Sequence, residues 1–410
     1  MYRFHPSIKW SDGYPNRQEI VSQITNLWER YGLEKRTSFN TKVKTVSKTS
    51  NGCWIINDGL NGLFDGVIPA VGTCGKPKMP HIEGQEEFKG ELYHSSKLEG
   101  KTAEGKKVLI IGGGASAVEG LEFVLHTKAK EVSVLARSDK WIIPRNALVD
   151  MVLAFNVLGQ ETMFSWIPES ILRIFFYRDL KDLVPSSKGL FTGTPMVNSD
   201  VFDQIRKGDA AWLRGDIIRI TEKGILFNHR SKDVPSGGPG REEELSADMI
   251  IMATGYHRPS LSFLPEEVFQ EPYQPPAWYL QVFPPQYPSI CASNCTYNNA
   301  IGTVGSWHIG IYTRLLLLFL VDPLARPQEN LMKKWIDMTR FLKSRSPQGA
   351  FDFFTYSELV YWFIFIVAIN PFRWKWALFV FFGVGRGLPM GIVQKEDRLR
   401  EKFGYLTEKI

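Results

Sequence analysis

The clearest structural signal in this sequence is KKVLIIGGGASAVEG, Lys106–Gly120. Its apolar residues Val108–Ile111 predict a strand buried on both faces, and the glycines after them predict a tight turn into a helix. In a turn that binds a dinucleotide, Gly112 permits the turn, Gly114 lets the backbone approach a pyrophosphate, and Ala117 keeps the helix close to the sheet. The phosphates then meet the free N–H groups at the positive end of the helix. Because a second strand follows, the pattern favours a nucleotide site over an ordinary glycine turn.

The end of that second strand indicates which nucleotide binds. EVSVLARS, Glu131–Ser138, places Arg137 at 137 − 112 = 25 residues past Gly112. Sites for NAD or FAD have an acidic residue there for the ribose 2′-hydroxyl, whereas a guanidinium accepts no hydrogen bond and forks onto a phosphate. Arg137 therefore favours NADPH, and Lys140 and Arg145 would add positive charge. The alternative is an exposed arginine with no ligand.

Two segments of similar pattern flank this unit. FDGVIPAVG, Phe64–Gly72, precedes it and ADMIIMATG, Ala247–Gly255, follows it. Each has an acidic residue, an apolar strand and a glycine where the chain would leave a sheet. Such a pair is expected when one nucleotide-binding domain is inserted into another, because the chain passes out of the outer domain and back.

Local patterns predict the remaining elements. The signals are apolar residues at helical spacing, strand patterns broken by Asn-Gly or Lys-Gly, and polar runs rich in Pro and Gly. They predict a helix over Asn16–Leu33, hairpins over Thr41–Asp58 and Asp216–Phe227, a buried strand over Leu63–Thr73, a polar loop over Asn228–Leu245 and a core helix over Thr313–Pro323.

The composition restricts the classes of function. Lys and Arg total 49 and Asp and Glu 43, and because the +6 net charge is scattered, no nucleic-acid partner is expected. The four cysteines have neither disulfide nor zinc spacing, so no metal site is expected. Cys291 and Cys295 are too widely spaced for the redox pair of a disulfide reductase. The polar start, MYRFHPSIKW, lacks the apolar core of a signal peptide, so we expect the protein on the cytoplasmic side.

Three further motifs carry a resemblance to a known family. FKGELYHSSK, Phe88–Lys97, resembles the Phe-x-Gly-x-x-x-His fingerprint of flavin-containing and Baeyer–Villiger monooxygenases, with Gly90 and His94 in place. ATGY at Ala253–Tyr256 resembles the family's return strand. ARSDKWIIPR at Ala136–Arg145 resembles its segment for the NADPH 2′-phosphate. In this order and spacing, the motifs make the sequence similar to that family over most of its length.

The resemblance implies the α/β fold of a two-dinucleotide-binding-domain flavoprotein, in which a Rossmann-like NADPH domain is inserted in an FAD domain. The implied domains are the remaining part of the FAD domain with a linker (residues 1–100), the NADPH domain (101–247), the return of the FAD domain (248–330) and a C-terminal apolar lid or membrane-contact region (331–410).

The resemblance also implies the activity. NADPH would reduce FAD, and the flavin would use O₂ to transfer one oxygen atom to a lipophilic small molecule, by N- or S-oxygenation or by a Baeyer–Villiger reaction. The cofactors carry this chemistry, so no catalytic side chain is expected. The expected cofactor-contacting residues are Gly112, Gly114, Ser116, Ala117 and Arg137 for NADPH, Thr254 and Gly255 where the return strand approaches the flavin, and His94, which in the family has a structural and hinge role.

The segment CTYNNAIGTVGSWHIG, Cys295–Gly310, is expected to line the flavin-side pocket. Asn298 and Asn299 in it would either contact cofactor or substrate or satisfy buried backbone groups.

Two departures from the family pattern matter. The fingerprint ends in Leu98-Glu99, where the family has an aromatic residue followed by Lys, Arg or Pro. The family also begins with a strand, a Gly-x-Gly-x-x-Gly turn and a helix that bind FAD, and nothing in Met1–Gly75 matches them. We therefore expect an FAD domain whose first βαβ unit is missing. The alternative is a truncated, flavin-free NADPH-binding remnant with a membrane or partner-binding role.

Two apolar runs near the C-terminus, LVYWFIFIVAI at Leu359–Ile369 and WALFVFFGVG at Trp376–Gly385, raise the question of a membrane. Each is shorter than the roughly 20 residues of a spanning helix, and Asn370 and Pro371 separate them. Tryptophans beside basic residues favour peripheral membrane contact through residues 359–385. The alternative is a buried core pair that covers the active site.

Overall fold

The computed structural model describes residues 17–144, 164–185, 189–190, 195–198, 200–293, 295–296, 306–322, 325–343 and 358–383. The chain forms two compact units. The first comprises Met1–Gly72, Ser260–Leu342 and Ser357–Ile410, and the second comprises Thr73–Pro259 and Lys343–Tyr356. In sequence the second unit is therefore inserted in the first, and the return falls at Ser260 rather than at the sequence boundary of residue 248.

The elements that the sequence patterns predict occur in the predicted order, except the strand over Leu63–Thr73, and the structure adds several further strands and helices. The strands are β1 Val46–Lys48, β2 Trp54–Ile56, β3 Glu91–His94, β4 Lys107–Ile111, β5 Glu131–Ala136, β6 Ile142–Ile143, β7 Met196–Val197, β8 Ala211–Thr221, β9 Gly224–His229, β10 Arg241–Ser246 and β11 Met249–Met252. The α-helices are α1 Arg17–Arg30, α2 Ala115–His126, α3 Trp166–Phe175, α4 Asp200–Lys207, α5 Ser306–Val321, α6 Glu329–Lys343 and α7 Trp374–Phe382.

A seven-stranded sheet organises the second unit, in the order β10-β9-β8-β5-β4-β11-β3. From β3 to β8 the pairing is parallel, and β8, β9 and β10 pair antiparallel. Strand β4 is buried on both faces, as predicted. Val108 and Ile110 pack with α2, and Leu109 and Ile111 pack in a second cluster with Phe227.

Strand β11 lies inside this sheet, between β4 and β3. Met249 pairs with Val108 on one side and with Glu91 on the other. The predicted return strand is thus a central strand of the inserted unit. Its four residues are fully buried, because Met249 and Ile251 pack in the cluster with α2, and Ile250 and Met252 pack in the cluster with Phe227 on the other face.

The polar loop predicted over Asn228–Leu245 was wrong in its last part, because Arg241–Ser246 forms strand β10. This strand pairs with β9 at the edge of the sheet and is largely exposed. Edge strands commonly carry charged residues that prevent further pairing, so a charged sequence such as REEELS resembles a loop.

The predicted helices and hairpins of the first unit are present. Helix α1 covers Arg17–Arg30, and β1 and β2 form a hairpin whose turn has Gly52 at φ 84°. Trp54 in β2 is fully buried in this unit's core. Helix α5 is the predicted core helix, since residues such as Ile311 and Leu315 are fully buried.

The buried strand predicted over Leu63–Thr73 was wrong. The segment makes two isolated bridges, Phe64 to Trp54 and Val67 to Ile290, and Leu63 is 63% exposed. A strand inside a parallel sheet pairs with a neighbour on each edge. Among the described residues, Val67 pairs with Ile290 alone.

The C-terminal apolar runs form short helical pieces. Residues 358–362 are helical and continue into the π-helical turn Phe363–Ala368, and Pro371–Arg373 leads into α7. None of the described helices combines the length and apolar character needed to cross a bilayer.

Candidate nucleotide site

The glycine turn follows β4 at the carboxyl edge of the parallel strands. Gly112 has a φ of 132°, and a Cβ atom there would lie 2.4 Å from the carbonyl oxygen of Ala253. A Cβ atom on Gly113 would lie 2.9 Å from the Cβ of Ala136. Both positions require glycine, because β11 and β5 approach the turn closely on either side.

Gly114 begins helix α2 and leaves room for a ligand. No side chain caps the helix at this residue, and the nearest atom to a Cβ built there is Lys140 Nζ, at 3.9 Å. Ser116 is half-buried in the first turn and Ala117 is fully buried against the sheet. The turn therefore combines backbone N–H groups, the positive end of a helix and a lysine ammonium, a donor set that suits phosphate.

Arg137 lies directly after β5 and its side chain is exposed. Its backbone carbonyl accepts a 2.5 Å hydrogen bond from Nη2 of Arg230. Arg230 is 2% exposed, its Nη1 donates to the Val234 carbonyl at 2.6 Å, and its Nε lies 2.6 Å from the Asp216 carboxylate. The buried Arg230 thus fixes the backbone at Arg137, and the guanidinium of Arg137 faces solvent.

A second arginine holds the residues that follow. Nε of Arg214 donates to Asp139 at 2.5 Å, and its Nη2 donates to the Asp182 carbonyl at 2.6 Å. These bonds fix the segment that carries Lys140. The sequence patterns assigned no role to Arg214 or Arg230. The one pattern that could have indicated their positioning role is a charged residue next to an apolar strand.

His94 lies at the end of β3, 4% exposed, and connects the predicted linker to the ATGY segment. The Ser96 backbone N–H donates to its Nδ1 at 3.1 Å, so the proton is assigned to Nε2, which donates to the Gly255 carbonyl at 3.0 Å. Both ring nitrogens are used within the protein, and the ring packs edge-on against Tyr256. This geometry fits a structural role for His94.

Thr254 and Gly255 lie in a segment that pairs with residues 75–78. The Thr254 hydroxyl donates to the Lys78 carbonyl, the Lys78 N–H donates to the Gly255 carbonyl at 2.9 Å, and the Gly75 N–H donates to the His257 carbonyl at 2.9 Å. Gly255 has a φ of 80°, which favours glycine. The chain segments that enter and leave the inserted unit therefore pair with each other.

The second unit also has a cavity of about 940 Å³ at the opposite edge of the sheet. Its lining includes Glu131 and Ala211, at the amino ends of β5 and β8, and the last turn of α2. Ligands of open α/β sheets bind at the carboxyl ends of the strands, so this cavity is not the nucleotide site.

The cysteines give no sign of redox chemistry. None of the four forms a disulfide, and burial raises the pKa of Cys291 to about 12, which keeps its thiol protonated. Arg145, Asn298 and Asn299 lie outside the described residues.

The fold and the turn define an α/β protein with a glycine turn at the carboxyl edge of an inserted parallel sheet, and the donors at this turn suit phosphate groups. A family model described as flavin-binding monooxygenase-like matches residues 4–306. Since the match covers well over half of the chain, the protein belongs to the flavin-binding monooxygenase-like family.

Individual relatives are consistent with this assignment. Flavin-containing monooxygenase 5 of Cavia porcellus is 25% identical over 366 residues, which cover 80% of this chain and 66% of the relative. An open structure of cyclohexanone monooxygenase superposes with a TM-score of 0.61 at 15% identity, over 88% of this chain and 86% of that one. Oxidized steroid monooxygenase bound to NADP gives a TM-score of 0.58 at 15% identity, over 99% and 87%. These structures share the fold, and the chain spans less than two thirds of the length of the curated relatives it matches.

Proposed function

We propose that this protein is an NADPH- and FAD-dependent monooxygenase that transfers one oxygen atom from O₂ to a small molecule. The observation that carries the proposal is the phosphate-binding turn at Gly112–Gly114, with Arg137 and Lys140 beside it. Family membership indicates the class of reaction, and the turn with Arg137 indicates the coenzyme.

The residues of the turn bind and orient NADPH in this proposal. Gly114 and the first turn of α2 hold the pyrophosphate, and the guanidinium of Arg137 forks onto the ribose 2′-phosphate. Arg230 and Arg214 position that segment through its backbone and through Asp139. His94 holds the Gly255 carbonyl, so that the ATGY segment keeps its path.

FAD, when bound, supplies the oxygen chemistry of the family. Within residues 17–90 the structure has no glycine turn between a strand and a helix, and so no residue there is assigned to the FAD pyrophosphate. A second candidate function is an NADPH-binding protein without flavin that binds a membrane or a partner, and the exposed apolar side chains Phe365 and Ile369 favour it.

The spectrum of the purified full chain separates the two candidates. An oxygenase is expected to bind added FAD near one to one, to lose flavin absorption with NADPH under nitrogen, and to regain it with air. NADH should act far more slowly. A colourless protein that still binds NADPH contradicts the oxygenase and supports the second candidate. Turnover of a tertiary amine, a thioether and a cyclic ketone then distinguishes N- or S-oxygenation from Baeyer–Villiger insertion.

The lipophilic substrate and the membrane contact belong to the same proposal. Apolar side chains between residues 359 and 385 are exposed: Phe365 is 54% exposed, Ile369 66%, Trp374 59% and Phe382 71%. Such a patch, next to basic residues, suits the headgroup region of the cytoplasmic leaflet, in which lipophilic substrates dissolve.

Sedimentation with vesicles tests the contact. The chain is expected to sediment with anionic phospholipid vesicles, and the double variant Phe365→Ser/Ile369→Ser is expected to remain in the supernatant. A double variant at exposed apolar residues elsewhere, Leu60→Ser/Leu63→Ser, serves as control and should still sediment. Equal sedimentation of both variants argues against contact through residues 359–385.

A further inference from the structure

The first unit contains a cavity of about 550 Å³ with aromatic walls. The cavity is formed by helices α5 and α6, by residues between 362 and 376, and by Tyr279. Trp335, Trp362 and Trp376 line it, and none of these four aromatic side chains is more than 7% exposed. Cavities of roughly 300–1,000 Å³ with apolar walls bind small organic molecules.

Hydrogen bonds within the protein fix these walls. Trp362 Nε1 donates to the Tyr279 hydroxyl at 2.7 Å, and Trp335 Nε1 donates to the buried Glu358 carboxylate at 3.2 Å. The rings of Tyr279 and Trp335 meet edge to face, with centroids 6.1 Å apart. Since both indole N–H groups are satisfied, these rings offer apolar surface to a ligand in a cavity of fixed shape.

Three cations line the same cavity: Arg326, Lys334 and Arg373. The described lining includes no Asp or Glu, and no ion pair involves these cations within the described part of the chain. Arg326 Nε donates to the Phe319 carbonyl at 2.7 Å and Arg373 Nη1 to the Ile366 carbonyl at 3.1 Å. Each guanidinium therefore keeps most of its five N–H donors for other partners.

The edge of the cavity also carries apolar side chains that a ligand would cover. Leu331 is 51% exposed and Met338 is 36% exposed, and both line the cavity. A molecule that filled the space would remove this apolar surface from water while its charged end met the cations. Aromatic walls, exposed aliphatic residues and an excess of positive charge together specify the chemistry of the ligand.

We propose that this cavity binds an amphipathic monoanion, with an apolar body and a carboxylate head, of the size of a medium-chain fatty acid. The site is formed by the first unit alone and does not depend on the proposed oxygenase activity or on NADPH.

Titration of the full chain with monomeric dodecanoate, read by tryptophan fluorescence and without added cofactor, tests the proposal. Saturable quenching is expected with the wild type. Lys334→Gln should raise the Kd roughly two- to fivefold. Lys333→Gln is the matched control, because Lys333 does not line the cavity and pairs with Glu329 at 2.6 Å; its Kd should equal that of the wild type. Met338→Trp, which places a larger ring at the edge of the cavity, should raise the Kd at least tenfold.

Two comparisons make the result decisive. Dodecanol and dodecyltrimethylammonium are expected to bind at least tenfold more weakly than dodecanoate, and dodecanoate is expected to raise the Tm of the wild type but not of Met338→Trp. Equal Kd values for dodecanoate, dodecanol and dodecyltrimethylammonium overturn the proposal. Equal Kd values of Lys334→Gln and Lys333→Gln for dodecanoate also overturn it. So does a response to anionic phospholipid vesicles with none to free dodecanoate, which would indicate a membrane-binding surface instead.

Discussion

Gly112 is constrained both by its own backbone and by a neighbouring strand. Its φ of 132° is costly for any residue with a side chain, and the carbonyl oxygen of Ala253 occupies the place of a Cβ atom. Gly120, in the same motif, has neither constraint, since a Cβ atom there would make ordinary contacts of 3.6–3.8 Å. The two glycines look alike in the sequence. They differ because the backbone of Ala253, directly after β11, lies against Gly112, whereas Gly120 faces side chains such as Ile251 at ordinary contact distances.

This difference predicts opposite effects of the same substitution. Gly112→Ala is expected to lower the free energy of unfolding by more than about 2 kcal/mol, because strain and a backbone clash add. Gly120→Ala is expected to raise it by about 0.5–1 kcal/mol, because alanine favours the helix. Urea denaturation of both variants measures this. Similar values for the two would contradict the described turn.

Arg137 is expected to determine the coenzyme and to contribute little to stability. Its exposed guanidinium makes no contact that Arg137→Gln would remove from the protein core. Loss of a charged hydrogen bond to the 2′-phosphate should raise the Kd for NADPH about 10- to 100-fold and leave that for NADH unchanged. Arg241→Gln, an exposed arginine in β10, is the control. Isothermal titration with both coenzymes gives the values, and an equal loss for NADH would disprove the assignment.

The loop after β9 is the element that supports Arg137. Asp216 in β8 accepts hydrogen bonds from the Ser236 hydroxyl at 2.7 Å and from the Gly237 N–H at 2.9 Å, and it lies against Arg230. Burial alone would raise the pKa of Asp216, but these two hydrogen bonds and the Arg230 charge outweigh it and hold the pKa below its ordinary value. The Asp216 carboxylate therefore holds the loop together with Arg230, which donates to the Val234 carbonyl, and Asn228, which donates to the Gly238 carbonyl.

The lowered pKa gives a pH dependence with a definite sign. A carboxyl whose pKa is lower when folded stabilises the protein above its unfolded value of about 4, and this stabilisation is lost as the pH falls through the folded value. Asp216→Asn should cost about 1–2 kcal/mol at pH 7 and flatten the decline of stability as the pH falls below about 4. Unfolding free energies of both proteins across this range provide the test. Parallel curves would show that Asp216 does not contribute in this way.

Local elements were predictable from the sequence where their own residues decide them. The β4 turn and the β8–β9 hairpin carry their apolar patterns and turn glycines within a few residues of one another. Strand β10 and the segment around Val67 were not predictable, because their conformation depends on which neighbour pairs with them far along the chain. The role of Arg230 depends in the same way on its position behind a strand about 90 residues away, as a hydrogen bond to Arg137 shows.

At the scale of the whole molecule, the second unit has the features of an independent domain. It contains a complete sheet, and its entering and leaving segments pair at Gly75–His257 and at Lys78–Gly255. Because its ends meet, cutting the chain there breaks few interactions inside the sheet.

A fragment of residues 73–259 is therefore expected to fold alone. The fragment should melt in one cooperative transition. Its Kd for NADP⁺ should lie within about threefold of that of the full chain, because the glycine turn, Arg137 and Arg230 lie inside the fragment. Calorimetry and titration of the fragment measure these quantities, and Arg137→Gln in the fragment should reproduce the loss seen in the full chain. A fragment that binds NADP⁺ weakly despite a normal melt would place binding residues outside 73–259.

The hydrogen bond from Arg230 to residue 137 ends on a carbonyl group, which every amino acid possesses. This support for the backbone is consequently independent of the side chain at residue 137. We therefore expect substitutions of Arg137 to change the coenzyme preference while the protein stays folded. Among related proteins, we expect residue 137 to vary with the coenzyme that each protein uses. We expect Arg230 to be conserved.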